Sequence, residues 1–310
     1  MHASKLITAY RGRFAPSPTG PLHFGTLVAA VGSYLDARSH DGAWLLRLED
    51  VDRPRCRPGA TDSILRALSA FGFEWDGEVM VQSQRALAYH AALEQLRSSG
   101  RIFPCACTRR EIADSRHQQS LRIAGDGAQV YPGTCRPGLP PGRPARTWRL
   151  RVDADVIDFE DAVQGHIAQD LAQEAGDFVL LRAEGVYSYQ LAVTVDDAAQ
   201  EVSHVVRGAD LLDSTARQIL LQRLLGLPTP SYAHLPVAVN AAGEKLSKQT
   251  RAAPLDTNHP LPLLLSALSF LGQTPPRELA DASLADFWHW AKVHWKMAKV
   301  PQRRILATAE

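Results

Sequence analysis

Apolar positions along residues 1–103 switch between two periods. Leu6 to Thr8 is a short apolar approach to a Pro/Ser/Gly stretch, after which Leu27, Ala30, Val31, Tyr34 and Leu35 recur at helical spacing. Ala43 to Asp50, AWLLRLED, is a compact apolar run ending in charge and predicts a buried strand. Thr61 to Phe71 returns to the helical period with Thr61 in N-cap position, and Arg85 to Ser99 predicts a further amphipathic helix. Strand, helix, strand, helix is the order of an α/β protein with a Rossmann-like doubly wound parallel sheet, which binds ligands at the carboxyl ends of its strands.

The pattern breaks over 104–146, a polar and Pro/Gly-rich insertion. From 147 it becomes mixed. TWRLRV alternates like a half-buried strand, and DFVLLRAEGVYSYQLAVTVDDA predicts two strands around a turn at Glu184 and Gly185. The second would carry Tyr187, Tyr189 and Leu191 on one face and end at Asp196 and Asp197. Val205 to Arg207 predicts a strand closed by Gly208. Asp213 or Ser214 would cap a helix through Leu225 with Arg217 and Arg223 exposed, and His234 to Val239 predicts a last buried strand. Beyond residue 250, Pro262 to Leu271 predicts a packed helix, and Leu284, Phe287, Trp288, Ala291, Trp295 and Ala298 form a core stripe. Lys292, Lys296, Lys299 and Arg303 make a second row, better explained as a solvated face than as an RNA contact. The expected organisation is residues 1–103 as the first half of a catalytic domain, 104–146 as an insertion, 147–250 as the rest of the insertion and the second half, and 251–310 as a short helical part.

Composition narrows the class. An apolar content of 45% over 310 residues supports a large core, and 34 Lys plus Arg against 33 Asp plus Glu gives no global polyanion-binding signature. RNA contact would have to come from local patches. No run has the length of a membrane span and the start lacks the apolar core of a signal peptide, so a cytoplasmic protein without membrane partners is expected. Four cysteines are too few for a disulfide scaffold. Cys105, Cys107 and Cys135 supply three soft ligands for zinc within a segment poor in core residues, where a metal staple would give compactness. Tyr131 and His117 are the candidates for a fourth ligand, and general chemistry favours the imidazole. Unmetallated cysteines in a surface insertion are the competing reading.

The densest chemistry lies in Arg13 to Gly32, RFAPSPTGPLHFGTLVAAVG. A strand, a stiff Pro-rich turn and a helix start converge backbone N–H groups and a helix dipole on one point, which suits an anion. His23 could donate there; capping or packing is its ordinary alternative. Near Glu244 the chain reads GEKLSKQ, with Lys245 and Lys248 flanking a serine, either a functional loop or a solvated turn. No P-loop and no Ser-His-Asp or Cys-His arrangement is evident. Glu49 and Asp50 project to opposite faces of their strand, so only one can face a ligand. A substrate carboxylate would call for a guanidinium fork and a substrate ammonium for a carboxylate, and Arg13, Arg207 and Glu49 are the nearest such groups.

His-x-Gly at a helix start followed by a distant K-x-S-K resembles the paired signatures of class I aminoacyl-tRNA synthetases, and R-F-A-P-S-P-T-G-x-L-H-x-G resembles their glutamyl and glutaminyl branch. The resemblance covers nearly the whole chain. Residues 249–310 are too few for the connecting helices and anticodon reader of a full glutamyl-tRNA synthetase, so the chain resembles the shortened glutamyl-Q tRNA(Asp) synthetase family. The resemblance implies activation of L-glutamate by ATP and Mg2+ without tRNA, then transfer to queuosine in the anticodon of tRNA(Asp). It implies Arg13, Ser17, Glu49, Tyr189 and Arg207 as the glutamate pocket, with His23, Gly25 and Lys248 as the catalytic signature. ATP would be bound by Ala15, Pro16, His23, Gly25, Lys245 and Lys248, and zinc by Cys105, Cys107, Tyr131 and Cys135, in place of His117. A monomer is expected. Thr26 stands where the usual signature has a second histidine, and Leu246 and Gln249 depart from K-M-S-K-S; these departures bear on rate more than on reaction type. A truncated glutamyl-tRNA synthetase charging a 3′ end and a non-catalytic tRNA-binding paralogue are the alternatives.

Overall fold

The computed structural model describes residues 9–119, 130–153, 156–240, 242–245 and 254–308. The first strand, β1 (Arg11–Phe14), follows the Leu6 to Thr8 stretch, which lies outside the described residues. It leads into α1 (Phe24–Ser39) and returns as β2 (Ala43–Leu48), parallel to β1 with Gly12 opposite Trp44. After α2 (Ala60–Ala70), β3 (Met80–Val81) adds in parallel to β2, and α3 (Ala86–Ser98) follows. The cap of α2 is Gly59 rather than Thr61. Ser63 N–H already donates to Gly59 O at 3.0 Å, so the first helical bond starts there, and Gly59 holds the left-handed φ of 73° that turns the chain in.

A largely antiparallel region follows: β4 (Ile102–Cys105), α4 (Arg109–Gln119), β5 (Thr147–Leu150), β6 (Val156–Asp161), β7 (Gly165–Asp170), α5 (Leu171–Glu174) and β8 (Val179–Leu181). Strands β4, β5 and β8 form one antiparallel sheet, while β6 and β7 form a hairpin. The strand predicted around Tyr189 is instead helix α6 (Tyr189–Ala199). Ser188 caps it by accepting from Leu191 N–H at 3.4 Å, and Leu191 to Thr194 are all buried, a run no single strand face can bury.

The second half of the parallel sheet is β9 (His204–Gly208), α7 (Leu212–Leu225) and β10 (Ser231–Leu235), with β10 parallel to β9 and touching β6 at Tyr232. Helix α7 starts from a 3-10 turn at Ala209–Leu211, so its cap is Leu211 and not Asp213 or Ser214. Arg223 is exposed as expected, but Arg217 is buried, because α7 packs between α6 and the sheet. The run His234 to Val239 is two strands: Pro236 has no N–H for a ladder and separates β10 from β11 (Val237–Val239). Ser203 N–H donates to Arg11 O at 3.0 Å, which lays β9 beside β1. The order across the molecule is therefore β3, β2, β1, β9, β10, with the chain leaving β1 in one direction and resuming on its other side.

Helices α8 (Pro260–Phe270) and α9 (Leu284–His294) cover α1, and β12 (Ile305–Ala307) pairs with β11. Leu264, Phe287, Ala291 and Trp295 join the core of Leu27, Val31 and Leu35. The predicted stripe stops short at Ala298, which is exposed because α9 ends at His294. Asp36 on α1 fastens the C-terminal part: it accepts from Tyr10 Oη at 2.5 Å and from Trp295 Nε1 at 3.0 Å. Lys292 pairs with Asp41 at 2.8 Å, and Lys296, Lys299 and Arg303 are exposed but lie beyond the end of α9, so the expected row is not one helix face. Phe287→Ala removes a fully buried ring at this seam and is expected to cost about 3–5 kcal/mol, read as a lowered urea midpoint.

Candidate active site

At the carboxyl ends of β1, β2, β9 and β10, where the strand order reverses, lies a cavity of about 630 Å³. This is the place a doubly wound sheet leaves open, since the loops on either side of the switch point diverge. Its floor is the loop after β1, in which Ala15, Pro16 and Ser17 line the space, and the start of α1, which presents His23, Gly25 and Thr26. The loop is pinned to its neighbours: Glu49 N–H donates to Pro16 O at 3.1 Å and Arg57 N–H to Pro18 O at 2.9 Å. His23 is the N-cap of α1. The Thr26 hydroxyl accepts from His23 N–H at 2.8 Å and donates to His23 O at 2.6 Å, so the residue that replaces the usual histidine closes the capping turn.

Behind the floor sits a buried charge network. Arg13 Nε donates to Asp197 Oδ1 at 3.2 Å, and Arg47 Nη1 reaches the same oxygen at 2.7 Å while Nη2 reaches Glu49 Oε1 at 3.3 Å. Burial would raise the Asp197 carboxyl, but the two guanidiniums hold it below the usual range. Burial opposes charge on Arg47 as well, and Asp197, Glu49 and Asp196 more than compensate, so its pKa lies above the ordinary arginine value. Glu49 is raised, chiefly by burial. Arg13 and Glu49 face the cavity. Asp50 turns away and accepts Ser83 N–H at 2.7 Å, so only one of the two acids faces the cavity, although both lie just past the end of β2 and not on the strand.

The opposite wall is built on Arg207 at the end of β9. Its Nη1 donates to Tyr189 Oη at 3.3 Å, its Nη2 to Thr215 Oγ1 at 2.9 Å, and its Nε to His234 Nε2 at 3.0 Å. His234 Nδ1 in turn lies 2.6 Å from Asp161 Oδ2, and both side chains are fully buried. An acceptor at Nε2 places the imidazole proton on Nδ1, donated to Asp161. Burial pushes His234 down to about 4, against the pull of Asp161.

All five predicted glutamate-pocket residues, together with Ala15, Pro16, His23, Gly25 and Lys245, therefore line one space. Tyr189 does so from the first turn of α6 and not from a strand. Lys245 bridges to Val239 and pairs with Asp210 at 2.5 Å on the rim. Lys248 lies outside the described residues. Sequence reasoning missed Arg47, Asp161, Arg182, Asp197 as a site residue, Thr215 and His234. Of these, Arg47 and His234 left a signal, a charged or titratable residue inside an apolar strand. Arg182 reaches across the rim to Asp52 at 2.9 Å.

Away from this cavity, the Sγ atoms of Cys105, Cys107 and Cys135 lie within 4.8 Å of one another. Tyr131 Oη is 3.4 Å from Cys105 Sγ and 3.5 Å from Cys107 Sγ, and accepts Cys135 N–H at 2.9 Å. His117 falls on α4, with its side chain outside the described part.

His234 protonates near 6.5 when unfolded and near 4 when folded, so the unfolded chain binds more protons between these values. Stability is expected to be complete above about pH 6.5 and to fall by up to about 3 kcal/mol as the pH drops to about 4. In His234→Gln the urea midpoint should decline less between pH 7 and 4.5.

The family model for tRNA synthetases class I (E and Q), catalytic domain, matches residues 9–276. A protein of Aromatoleum aromaticum named glutamyl-Q tRNA(Asp) synthetase is 60% identical over 95% of this chain and 91% of its own length. A protein of Dechloromonas aromatica with the same name is 60% identical over 96% and 97%. Among solved structures, glutamate-tRNA synthetase from Elizabethkingia anophelis superposes with a TM-score of 0.78 at 25% identity, covering 96% of this chain and 67% of the other. Relatives of that identity, aligned along nearly all of both chains and joined to a class I family model that takes in the cavity, establish that the chain belongs to the glutamyl-Q tRNA(Asp) synthetase family of class I tRNA synthetases.

Proposed function

We propose that the chain activates L-glutamate with ATP as its magnesium complex, without tRNA, and transfers the glutamyl group to queuosine in the anticodon of tRNA(Asp). The observation that carries this reading is the cavity with guanidiniums on two walls, a buried carboxylate between β2 and the floor, and a helix start beside them. Arg13, Arg207 and Tyr189 would hold the side-chain carboxylate, Ser17 would assist, and Glu49 would take the ammonium. The α-carboxylate then attacks the α-phosphorus and pyrophosphate leaves. Charge that builds on the phosphoryl oxygens meets the start of α1, His23, and the lysines Lys245 and Lys248. In the second step a hydroxyl of the queuosine ring attacks the acyl carbon and AMP leaves. Positioning and electrostatics suffice for both steps.

The same reading includes residues 104–146 as an inserted zinc-binding segment. Zinc bonded to sulfur at about 2.3 Å in tetrahedral geometry fits three thiols this close, with Tyr131 as the oxygen ligand. The ion would be structural, since the donor set closes the coordination sphere. One equivalent of zinc by atomic absorption is expected, and Cys135→Ser should lose it and melt at lower temperature.

Pyrophosphate exchange with each amino acid, with and without tRNA, should show glutamate alone supporting exchange in the absence of tRNA. Acylation should label tRNA(Asp) that carries queuosine and leave queuosine-free tRNA(Asp) unlabelled. Exchange that requires tRNA, with a labelled 3′ end, would instead make the chain a minimal glutamyl-tRNA synthetase. Arg207→Met should lower kcat/KM for glutamate by about 100-fold.

A further inference from the structure

The buried line from Asp161 through His234 to Arg207 has no access to a substrate except at its last member, yet it is fully connected. Asp161 Oδ1 accepts three backbone N–H groups, from Val163 at 3.0 Å, Gln164 at 2.8 Å and His234 at 3.0 Å. Its Oδ2 is left to receive His234 Nδ1 at 2.6 Å. The imidazole therefore turns a lone pair, not a proton, toward Arg207 Nε. Thr215 Oγ1, itself within 3.2 Å of His234 Nε2, takes one hydrogen of Arg207 Nη2, and Leu211 O takes the other at 3.4 Å. Tyr189 takes one from Nη1. Of the five N–H donors of the guanidinium, these contacts use four, and the fork is left with its Nη1 edge for the cavity.

We propose that Asp161 and His234 are positioning residues that fix the Arg207 fork for the carboxylate of the substrate side chain, by locking the imidazole in the tautomer that accepts from Arg207 Nε. The inference rests on the reading of the cavity as a glutamate site. It assigns a role to two residues from the β6–β7 hairpin and from β10 that touch no substrate. Tautomer, not charge, is the controlled quantity: moving the proton to Nε2 would set one N–H against another at 3.0 Å.

Asp161→Asn tests this with an isosteric change. The amide oxygen can keep the three backbone donors, so the NH2 group faces His234 Nδ1 and drives the proton to Nε2. The expected result is a glutamate KM raised at least about tenfold in tRNA-independent exchange, with the ATP KM and the melting temperature little changed. Nitrogen-detected NMR should show the His234 signals, assigned by their loss in His234→Gln, moving from the Nδ1–H to the Nε2–H pattern. Should Asp161→Asn not fold, His234→Met and His234→Gln decide the matter: Met offers only a weak thioether acceptor and should raise the glutamate KM, and Gln, whose amide oxygen reaches the Nε2 position, should recover most of that loss. A switched tautomer with an unchanged glutamate KM overturns the proposal, as does equal loss in the Met and Gln variants. Wild-type protein that shows no glutamate-dependent exchange would overturn the functional reading first, an outcome distinct from either.

Discussion

Asp197 is the point on which the arrangement depends. Its carboxylate sits on α6, out of water, and receives Arg13 from β1 and Arg47 from β2. An ion pair buried this deeply gains stability only when every partner is present, since removal of one leaves an uncompensated charge in a medium that cannot solvate it. The network therefore demands that β1, β2 and α6 meet in one register. Arg47 adds a hydrogen bond to Gln200 Oε1 at 2.8 Å, which draws in the end of the same helix. The requirement serves the cavity as well, because Arg13 and Glu49 are both members of the network and both face the open space. Electrostatic preorganisation of this kind places groups before any ligand arrives.

The two cavity walls are supported by different means. On the β1 and β2 side the support is charge on charge, with the attraction between partners outweighing burial at Arg47 and Asp197. On the β9 side it is a chain of directional hydrogen bonds in which His234 is neutral and Asp161 is held by backbone donors. Arg207 meets no carboxylate directly, because the neutral imidazole of His234 stands between it and Asp161, whereas Arg13 pairs with the Asp197 carboxylate itself. An anionic group entering the space meets a guanidinium on each wall, Arg207 and Arg13.

The thiol cluster shows the same economy in a different setting. Phe103, Ala106 and Ile112 form only a small apolar core around Cys105, Tyr131 and Cys135. Arg149 lies over the Tyr131 ring at 4.1 Å and Arg136 pairs with buried Asp177 at 2.6 Å, so this segment is tied together by polar and cation–π contacts that a larger core would make unnecessary. A segment built this way gains more from a bound ion than the parallel sheet would.

The sequence by itself determined the parallel α/β layout, the loop and helix of Arg13 to Gly32, and the thiol cluster. Each is written in local terms: a hydrophobic period, a turn composition, a short spacing. It failed where one stretch satisfies two periods, as in α6, where Tyr187, Tyr189 and Leu191 alternate like a strand while a Ser188 cap and burial on consecutive positions make a helix. Arg13, Arg47 and Arg207 each take one buried partner from a residue remote in the chain, Asp197, Gln200 and His234 in turn, and no local pattern specifies a contact across such distances. Only the tertiary structure decided those pairings, because a buried charge or lone pair acquires its role from whichever group the fold brings opposite it.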